Sequence, residues 1–207
     1  MDAIRQPDSA DDTPRITRIV LTGSESVGKT TLAEALGAHY GVLVVPEFVR
    51  SYALEKGAPL GFGDHGPIAR GQMALEDAGI AAARARGDAL LLCDTDLVST
   101  VAYCHHYFGR CPEFLETLAA ERRADLYLLL EPDVPWVADG VRDRGDRREE
   151  VQTLFCDILS RLEAPVATIR GNWTTRHEGA LAAIDALQRS RGAHVVSSSS
   201  PEPSDHG

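Results

Sequence analysis

The sequence predicts an α/β fold: a five-stranded parallel sheet with helices on both faces, three layers in all. Five short apolar runs, at 16–21, 42–45, 89–93, 126–130 and 166–169, alternate with helical segments. Continuous rather than alternating apolarity marks strands buried on both faces. The first run leads directly into Gly23-Ser24-Glu25-Ser26-Val27-Gly28-Lys29-Thr30-Thr31 and then a helix. The length of 207 residues suits one such domain and leaves little room for a second. We expect a polar tail over 1–14, one domain over 15–191 and a second tail over 192–207.

Each element has a local reason. Residues 1–14 are polar and acidic with Pro7 and Pro14, so they bury too little apolar area to offset the entropy of ordering and are expected to be disordered. The segment from Gly23 to Thr31 has the spacing G-x-x-x-x-G-K-[ST]. Its glycines let backbone N–H groups turn inward around phosphate oxygens, and the positive end of the following helix points to the same place. This is a P-loop, which makes the expected fold that of a P-loop NTPase. Its helix is predicted over 31–39 and ended by Gly41, and Pro46 closes the second strand. Gly57, Pro59, Gly61, Gly63 and Gly66 make 51–66 read as a substrate-covering loop. Helices follow at 67–86, 95–107 and 112–123, the last two split by Gly109 and Pro112. Val151, Leu154, Phe155, Ile158 and Leu162 recur at helical spacing. A last helix is expected over 178–189, and the serine-rich end from 192 reads as mobile.

Composition excludes whole classes of function. A net charge of −10 argues against a general nucleic-acid binder, which needs a basic face to neutralise phosphates. No apolar run approaches the ~20 residues that span a bilayer, and the first residues contain no signal-peptide core, so a cytoplasmic protein with a small-molecule partner is expected. Cys93, Cys104, Cys111 and Cys156 show neither CxxC spacing nor a zinc-type histidine pattern, and read as reduced, mostly buried thiols. Oligomeric state is not legible.

The carboxyl ends of the strands converge on the P-loop, so chemistry is expected there. Gly23, Ser24, Glu25, Ser26, Val27, Gly28, Lys29, Thr30 and Thr31 would hold ATP, with Lys29 on the β- and γ-phosphates and the Thr30 hydroxyl on Mg²⁺. The second strand runs into Pro46-Glu47-Phe48-Val49-Arg50, and the third into Asp94-Thr95-Asp96. Four apolar residues before Asp94 form a Walker-B pattern, which would place Asp94 on Mg²⁺ or on the acceptor's proton. Glu47 is the other candidate base, and spacing alone does not separate the two. The plainer reading of Asp94 and Asp96 is helix capping. Arg142, Arg144, Arg147 and Arg148 read either as a solvated helix start neutralised by Asp143, Asp146, Glu149 and Glu150, or as a lid clamping the transferring phosphoryl group. Trp136 either packs in the core or stacks on a ligand ring. His105 and His106 read as surface or packed histidines. Asn172 is the only asparagine and is followed by Trp173, which excludes the Asn-Lys-x-Asp segment of GTPases. Thr95 holds the place where hydrolytic motors carry a water-activating Glu. Uncoupled hydrolysis is therefore the weaker reading, and the short chain with a lid-like arginine segment suits a small-molecule kinase.

With these residues in hand, the chain resembles the ribosylnicotinamide kinase domain of NadR-type bacterial NAD-salvage proteins. The resemblance covers roughly 15–190. It is carried by the P-loop, Pro46 through Tyr52, Ile68-Ala69-Arg70-Gly71-Gln72, Asp94 through Thr100, Cys104 through Arg110, and Pro135-Trp136-Val137-Ala138-Asp139-Gly140-Val141-Arg142. It implies a nucleoside-kinase-like fold with a lid, and transfer of the ATP γ-phosphoryl group to the 5′-hydroxyl of nicotinamide riboside. Lys29 and Thr30 would serve ATP and Mg²⁺. Glu47, Arg50, Asp94 and Asp96 would surround riboside or metal, Trp136 and Asp139 would line the substrate site beside Phe48, and Arg142 would open the lid, with Arg144 and Arg147 on the nucleotide. Phe48 stands where the family pattern carries Tyr. The resemblance further implies a stand-alone kinase unit without the adenylyltransferase domain. The alternatives are a kinase for another nucleoside, or an ATP-binding regulator or ATPase.

Overall fold

A computed structural model describes residues 15–134 and 147–197, with side-chain environments as far as Arg191. The sequence-predicted site residues Trp136, Asp139, Arg142 and Arg144 lie outside the described residues, as do 1–14 and 198–207. Within them the strands are β1 (Thr17–Thr22), β2 (Val44–Val45), β3 (Leu90–Asp94), β4 (Leu126–Leu130) and β5 (Val166–Ile169). The helices are α1 (Lys29–Tyr40), α2 (Phe48–Lys56), α3 (His65–Arg86), α4 (Leu97–Phe108), α5 (Glu113–Glu121), α6 (Arg148–Arg161) and α7 (Trp173–Ser197).

The sheet runs in the order β2-β3-β1-β4-β5 with every pairing parallel. The strand carrying the P-loop is therefore central, flanked by β3 and β4, and Leu21 sits opposite Asp94. Every residue of β1, β3 and β4 is buried. Successive side chains leave a strand on opposite faces, so the apolar runs split between two cores. Ile19, Leu21, Leu92, Leu128 and Leu130 pack with Leu32 and Leu36 of α1 and with Ala180 and Ile184 of α7. Val20, Leu91, Cys93, Tyr127 and Leu129 pack with α3, α4, α5 and α6. The three-layer expectation is met.

Three boundaries differ from the sequence reading. The segment expected as loop over 51–66 is helical as far as Lys56, because no glycine or proline falls between Phe48 and Lys56. Gly57 then ends α2 at φ 61. Asp64 pins the short turn that follows, accepting from Gly61 N (2.6 Å) and the Tyr52 hydroxyl (2.8 Å) and pairing with Lys56. α7 starts at Trp173 rather than 178, where the Asn172 side chain accepts from Thr175 N (3.0 Å) as a cap. α7 also continues to Ser197, past the expected domain end at 191. Finally, Cys156 is exposed and Cys111 half-buried, so only Cys93 and Cys104 follow the buried-thiol expectation.

Candidate active site

The P-loop joins β1 to α1 through two left-handed glycines, Gly23 (φ 128) and Gly28 (φ 87). A Cβ on Gly23 would stand 2.6 Å from the Leu130 carbonyl oxygen, so close packing on β4 demands glycine there as much as the turn does. Buried side chains from two other elements hold the loop. Gln152 of α6 accepts from Ser24 N (3.3 Å) and donates to Leu130 O (3.2 Å). Arg176 of α7, 3% exposed, donates to Val27 O (2.8 Å), Gly171 O (2.8 Å) and Glu131 O (2.7 Å), and pairs with Asp133. Neither residue was singled out from the sequence, because each acts through backbone carbonyls far away along the chain.

Lys29 is buried and its ammonium donates to Gly23 O (3.0 Å) and Ser24 O (2.6 Å). Its charge thus lies along the inside of the loop, where an anion would compete for it. The side chain of Glu25 is buried and accepts from the Tyr103 hydroxyl at 3.0 Å. Glu25 therefore links the loop to α4. Ser26, at φ 54, sits in the left-handed region that a turn of exposed N–H groups requires.

Thr30 Oγ1 donates to Asp94 Oδ2 at 2.6 Å. Asp94 is 3% exposed, and its other oxygen, Oδ1, is buried with no hydrogen-bond partner among the described residues. A buried carboxylate oxygen left unpaired is costly, and here it stands beside a hydroxyl on the Walker acid's own strand end. A hydroxyl plus an orphaned carboxylate oxygen is a hard-oxygen donor set of the kind Mg²⁺ takes. The residues present therefore fit that ion. Burial, and then the charge of Glu47, push the Asp94 carboxyl up, against the Thr30 hydrogen bond and the charges of Lys29 and Arg50.

Beside the acids lies a cavity of about 320 Å³, in the size range of small-ligand sites. Glu47 and Val49 from the start of α2, His65, Ile68 and Gln72 from α3, Thr95 from the end of β3, and Ser99, Thr100, Tyr103, Tyr107 and Phe108 from α4 line it, with Pro59 and Leu60 closing one side. Its wall is aromatic. Tyr103 and Tyr107 stack with centroids 6.1 Å apart, and Phe108 meets the His65 ring edge-on at 5.4 Å. Its polar side is Glu47, which is buried and ion-paired with Arg50 at 2.8 Å. Gln72 fixes this corner, accepting from Phe48 N (2.9 Å) and reaching Thr95 O (3.5 Å). Thr95 holds φ 71, a genuine outlier for a β-branched residue that costs ~1–3 kcal/mol and is typical of residues held for function. Burial pushes the His65 imidazole down, against its contact with the Gly61 carbonyl, so it favours the neutral form.

The structure thus brings together Gly23 through Thr31, Glu47, Arg50 and Asp94. It places two other candidates away from the cavity. Asp96 caps α4, its Oδ1 accepting from Val98 N (2.9 Å) and its Oδ2 from the Tyr127 hydroxyl (2.7 Å); both oxygens are occupied beneath the sheet edge, so capping replaces the expected substrate contact. The Phe48 ring lies over Gly71 of α3, where an added Cβ would stand 2.1 Å from it. Phe48 therefore packs α2 on α3 rather than lining the cavity. Of the arginine cluster, Arg147 pairs with Glu150 (2.5 Å) at the start of α6. Arg148 is buried and donates to Val134 O (2.9 Å), with Nε and Nη2 lacking partners among the described residues. Its guanidinium carries unused donors one turn before Gln152. Tyr103, Tyr107 and Phe108 were legible only as an aromatic helix, since nothing local says which face meets a cavity.

A family model described as an AAA domain matches residues 18–176. The trifunctional NAD biosynthesis/regulator proteins NadR of Escherichia coli (strain K12) and Salmonella typhimurium (strain LT2) are each 33% identical over 150 residues, 70% of this chain. The chain spans 36% of the length of these curated relatives. Among solved structures, a NadR protein in complex with NR superposes with a TM-score of 0.70 at 22% identity, over 83% of this chain and 51% of that one. Thymidylate kinase from Ehrlichia chaffeensis superposes with a TM-score of 0.57 at 17% identity, over 84% of this chain and 98% of that one. At these identities the likeness is one of fold. Among the described residues no helix is long and apolar enough to cross a membrane.

Proposed function

The chain belongs to the AAA domain family, and from that premise we propose that it is an ATP-dependent kinase for a small alcohol, with nicotinamide riboside as the acceptor. The observation that carries the reading is the cavity of about 320 Å³ that shares Glu47 and Thr95 with the strand ends beside the P-loop. A hydrolase needs room for one water beside the γ-phosphate, whereas this site has room for a second molecule with a ring and a polar end. The relatives named NadR support NAD precursors as the acceptor class.

The roles follow from position. The P-loop N–H groups and Lys29 hold the ATP phosphates, with Lys29 exchanging the Gly23 and Ser24 carbonyls for phosphate oxygens. Thr30 and Asp94 would hold Mg²⁺, which when bound neutralises charge on the transferring group. Glu47 lines the cavity and Asp94 does not, so Glu47 orients and accepts the proton of the acceptor hydroxyl. Asp94, engaged by Thr30, serves the nucleotide side. Spacing alone leaves the two acids unseparated; the lining of the cavity by Glu47 supports this assignment. Tyr103, Tyr107 and Phe108 offer ring faces to a planar base. Arg148, buried and bonded to Val134 O, braces the start of α6, while Arg142, Arg144 and Arg147 are the proposed lid, with Trp136 and Asp139 on the acceptor.

The test is ADP release from Mg-ATP against nicotinamide riboside, uridine, cytidine, thymidine, adenosine and thiamine, beside a well with no acceptor. Turnover selective for nicotinamide riboside is expected. Equal release in every well, the acceptor-free one included, would identify an ATPase and remove the acceptor roles given to Glu47 and the aromatic wall.

A further inference from the structure

On the outer end of α4, away from the strand ends, three potential ligands of different chemistry meet. Gly109 (φ 65) ends α4, its N–H bonding to His105 O at 2.8 Å, and turns the chain back so that Cys111 and the first turns of α5 face the helix they have just left. His105 Nε2 lies 2.7 Å from Glu116 Oε1. One ring nitrogen of His105, Cys111 Sγ and a carboxylate oxygen of Glu116 all fall within 4.8 Å of one another, each residue half-buried. Cys104, the residue before His105 on α4, is buried.

We propose that His105, Cys111 and Glu116 form a site for a thiophilic divalent cation, Zn²⁺ first, with solvent in the fourth position. A donor set of sulfur, nitrogen and oxygen suits zinc and excludes the all-oxygen preferences of Mg²⁺ and Ca²⁺. Tetrahedral zinc with bonds of about 2.0–2.3 Å sets its ligands about 3.3–3.8 Å apart. The observed spread of up to 4.8 Å closes by side-chain rotation, since His105 and Glu116 are 25% and 43% exposed and free to adjust. His105 comes from α4, and Cys111 and Glu116 come from beyond Gly109, so the ion ties α4 to α5. The same stretch of α4 carries Tyr103 and Tyr107 of the cavity wall. The site is separate from Thr30 and Asp94 and does not depend on the kinase reading.

The test uses the full-length reduced chain, stripped with chelator and held in excess Mg²⁺. Zinc is titrated against a chromophoric chelator, and Co²⁺ is added as a spectroscopic probe. One equivalent of Zn²⁺ is expected, with a thiolate-to-cobalt charge-transfer band and a raised Tm. Glu116→Gln, a mild change at a partly exposed position, should weaken zinc at least tenfold, and Cys111→Ser should abolish the band. Cys156→Ser should change neither. No stoichiometric zinc at micromolar protein overturns the proposal, as does zinc affinity that Glu116→Gln leaves unchanged in a protein whose circular dichroism is native.

Discussion

In Asp94→Asn the side chain keeps its shape and loses its charge, which separates the fold's needs from the chemistry's. The amide oxygen can still accept from Thr30 Oγ1, now at 2.6 Å from Asp94. The amide NH₂ then takes the place of Oδ1, the buried oxygen without a partner. For a cation held near it, the lost attraction is large. Unit charges about 4 Å apart interact by about 4 kcal/mol at an effective dielectric constant of about 20, which is about three powers of ten in rate. Stability moves the other way. Burial raises the Asp94 carboxyl above its usual range, so over that window the folded protein holds a proton the unfolded chain has lost, and stability falls as pH rises through it. Asparagine removes that loss. The assay is paired: kcat with Mg-ATP and acceptor, and Tm at neutral pH without nucleotide. We expect kcat to drop by about 10²–10⁴ and Tm to hold or rise. Turnover within tenfold of the parent would refute the role given to Asp94, and a fall in Tm matching the loss of activity would mean that its work is structural.

Three further outcomes follow from other contacts. Gly23→Ala combines a φ of 128 with a Cβ 2.6 Å from Leu130 O; it should cost about 2–5 kcal/mol in urea unfolding and abolish ATP binding, and a variant that still binds ATP as the parent does would count against this account of the loop. Tyr103→Phe deprives the buried Glu25 carboxylate of a donor at 3.0 Å and should destabilise by about 1–3 kcal/mol, raising the acceptor KM more than the ATP KM; equal changes in both would disconnect Tyr103 from the cavity. Glu76, buried against Arg18 (2.9 Å) and Arg122 (3.4 Å), is pushed up from 4.5 to about 7 by burial and then by the charge of Asp96. The folded state therefore holds the extra proton between those values, and this group's contribution to stability should fall as pH rises from about 4.5 to 7, by no more than about 3 kcal/mol. Urea midpoints across that range should flatten in Glu76→Gln, and an unchanged slope would assign the pH dependence elsewhere.

The features legible in advance were those in which neighbouring residues suffice. Continuous apolar runs specify strands covered on both faces, and the P-loop spacing specifies its own turn, so the five strands, their parallel arrangement and the position of Lys29, Thr30 and Asp94 could be read from order alone. The helix Phe48–Lys56 was hidden by the glycines that follow it; turn-forming residues mark where an element ends, and here they were taken to describe the element before them. Asp96 offered the same residue type for a cap and for a ligand contact, and the choice depends on Tyr127, brought to 2.7 Å by the pairing of β4 with β1.

The sequence by itself determined the layers, the five parallel strands and the phosphate-binding turn, because backbone preference and apolar pattern act over a few residues at a time. Only the tertiary structure decided which acid lines the cavity, which aromatic face of α4 becomes a wall, that Gln152 and Arg176 brace the loop, and that His105, Cys111 and Glu116 converge. Each of those depends on helix packing and strand register, which bring together groups as much as 149 residues apart, as for Arg176 and Val27. No local pattern in the chain encodes such a distance, since it is set by the sum of many packing contacts rather than by any one of them.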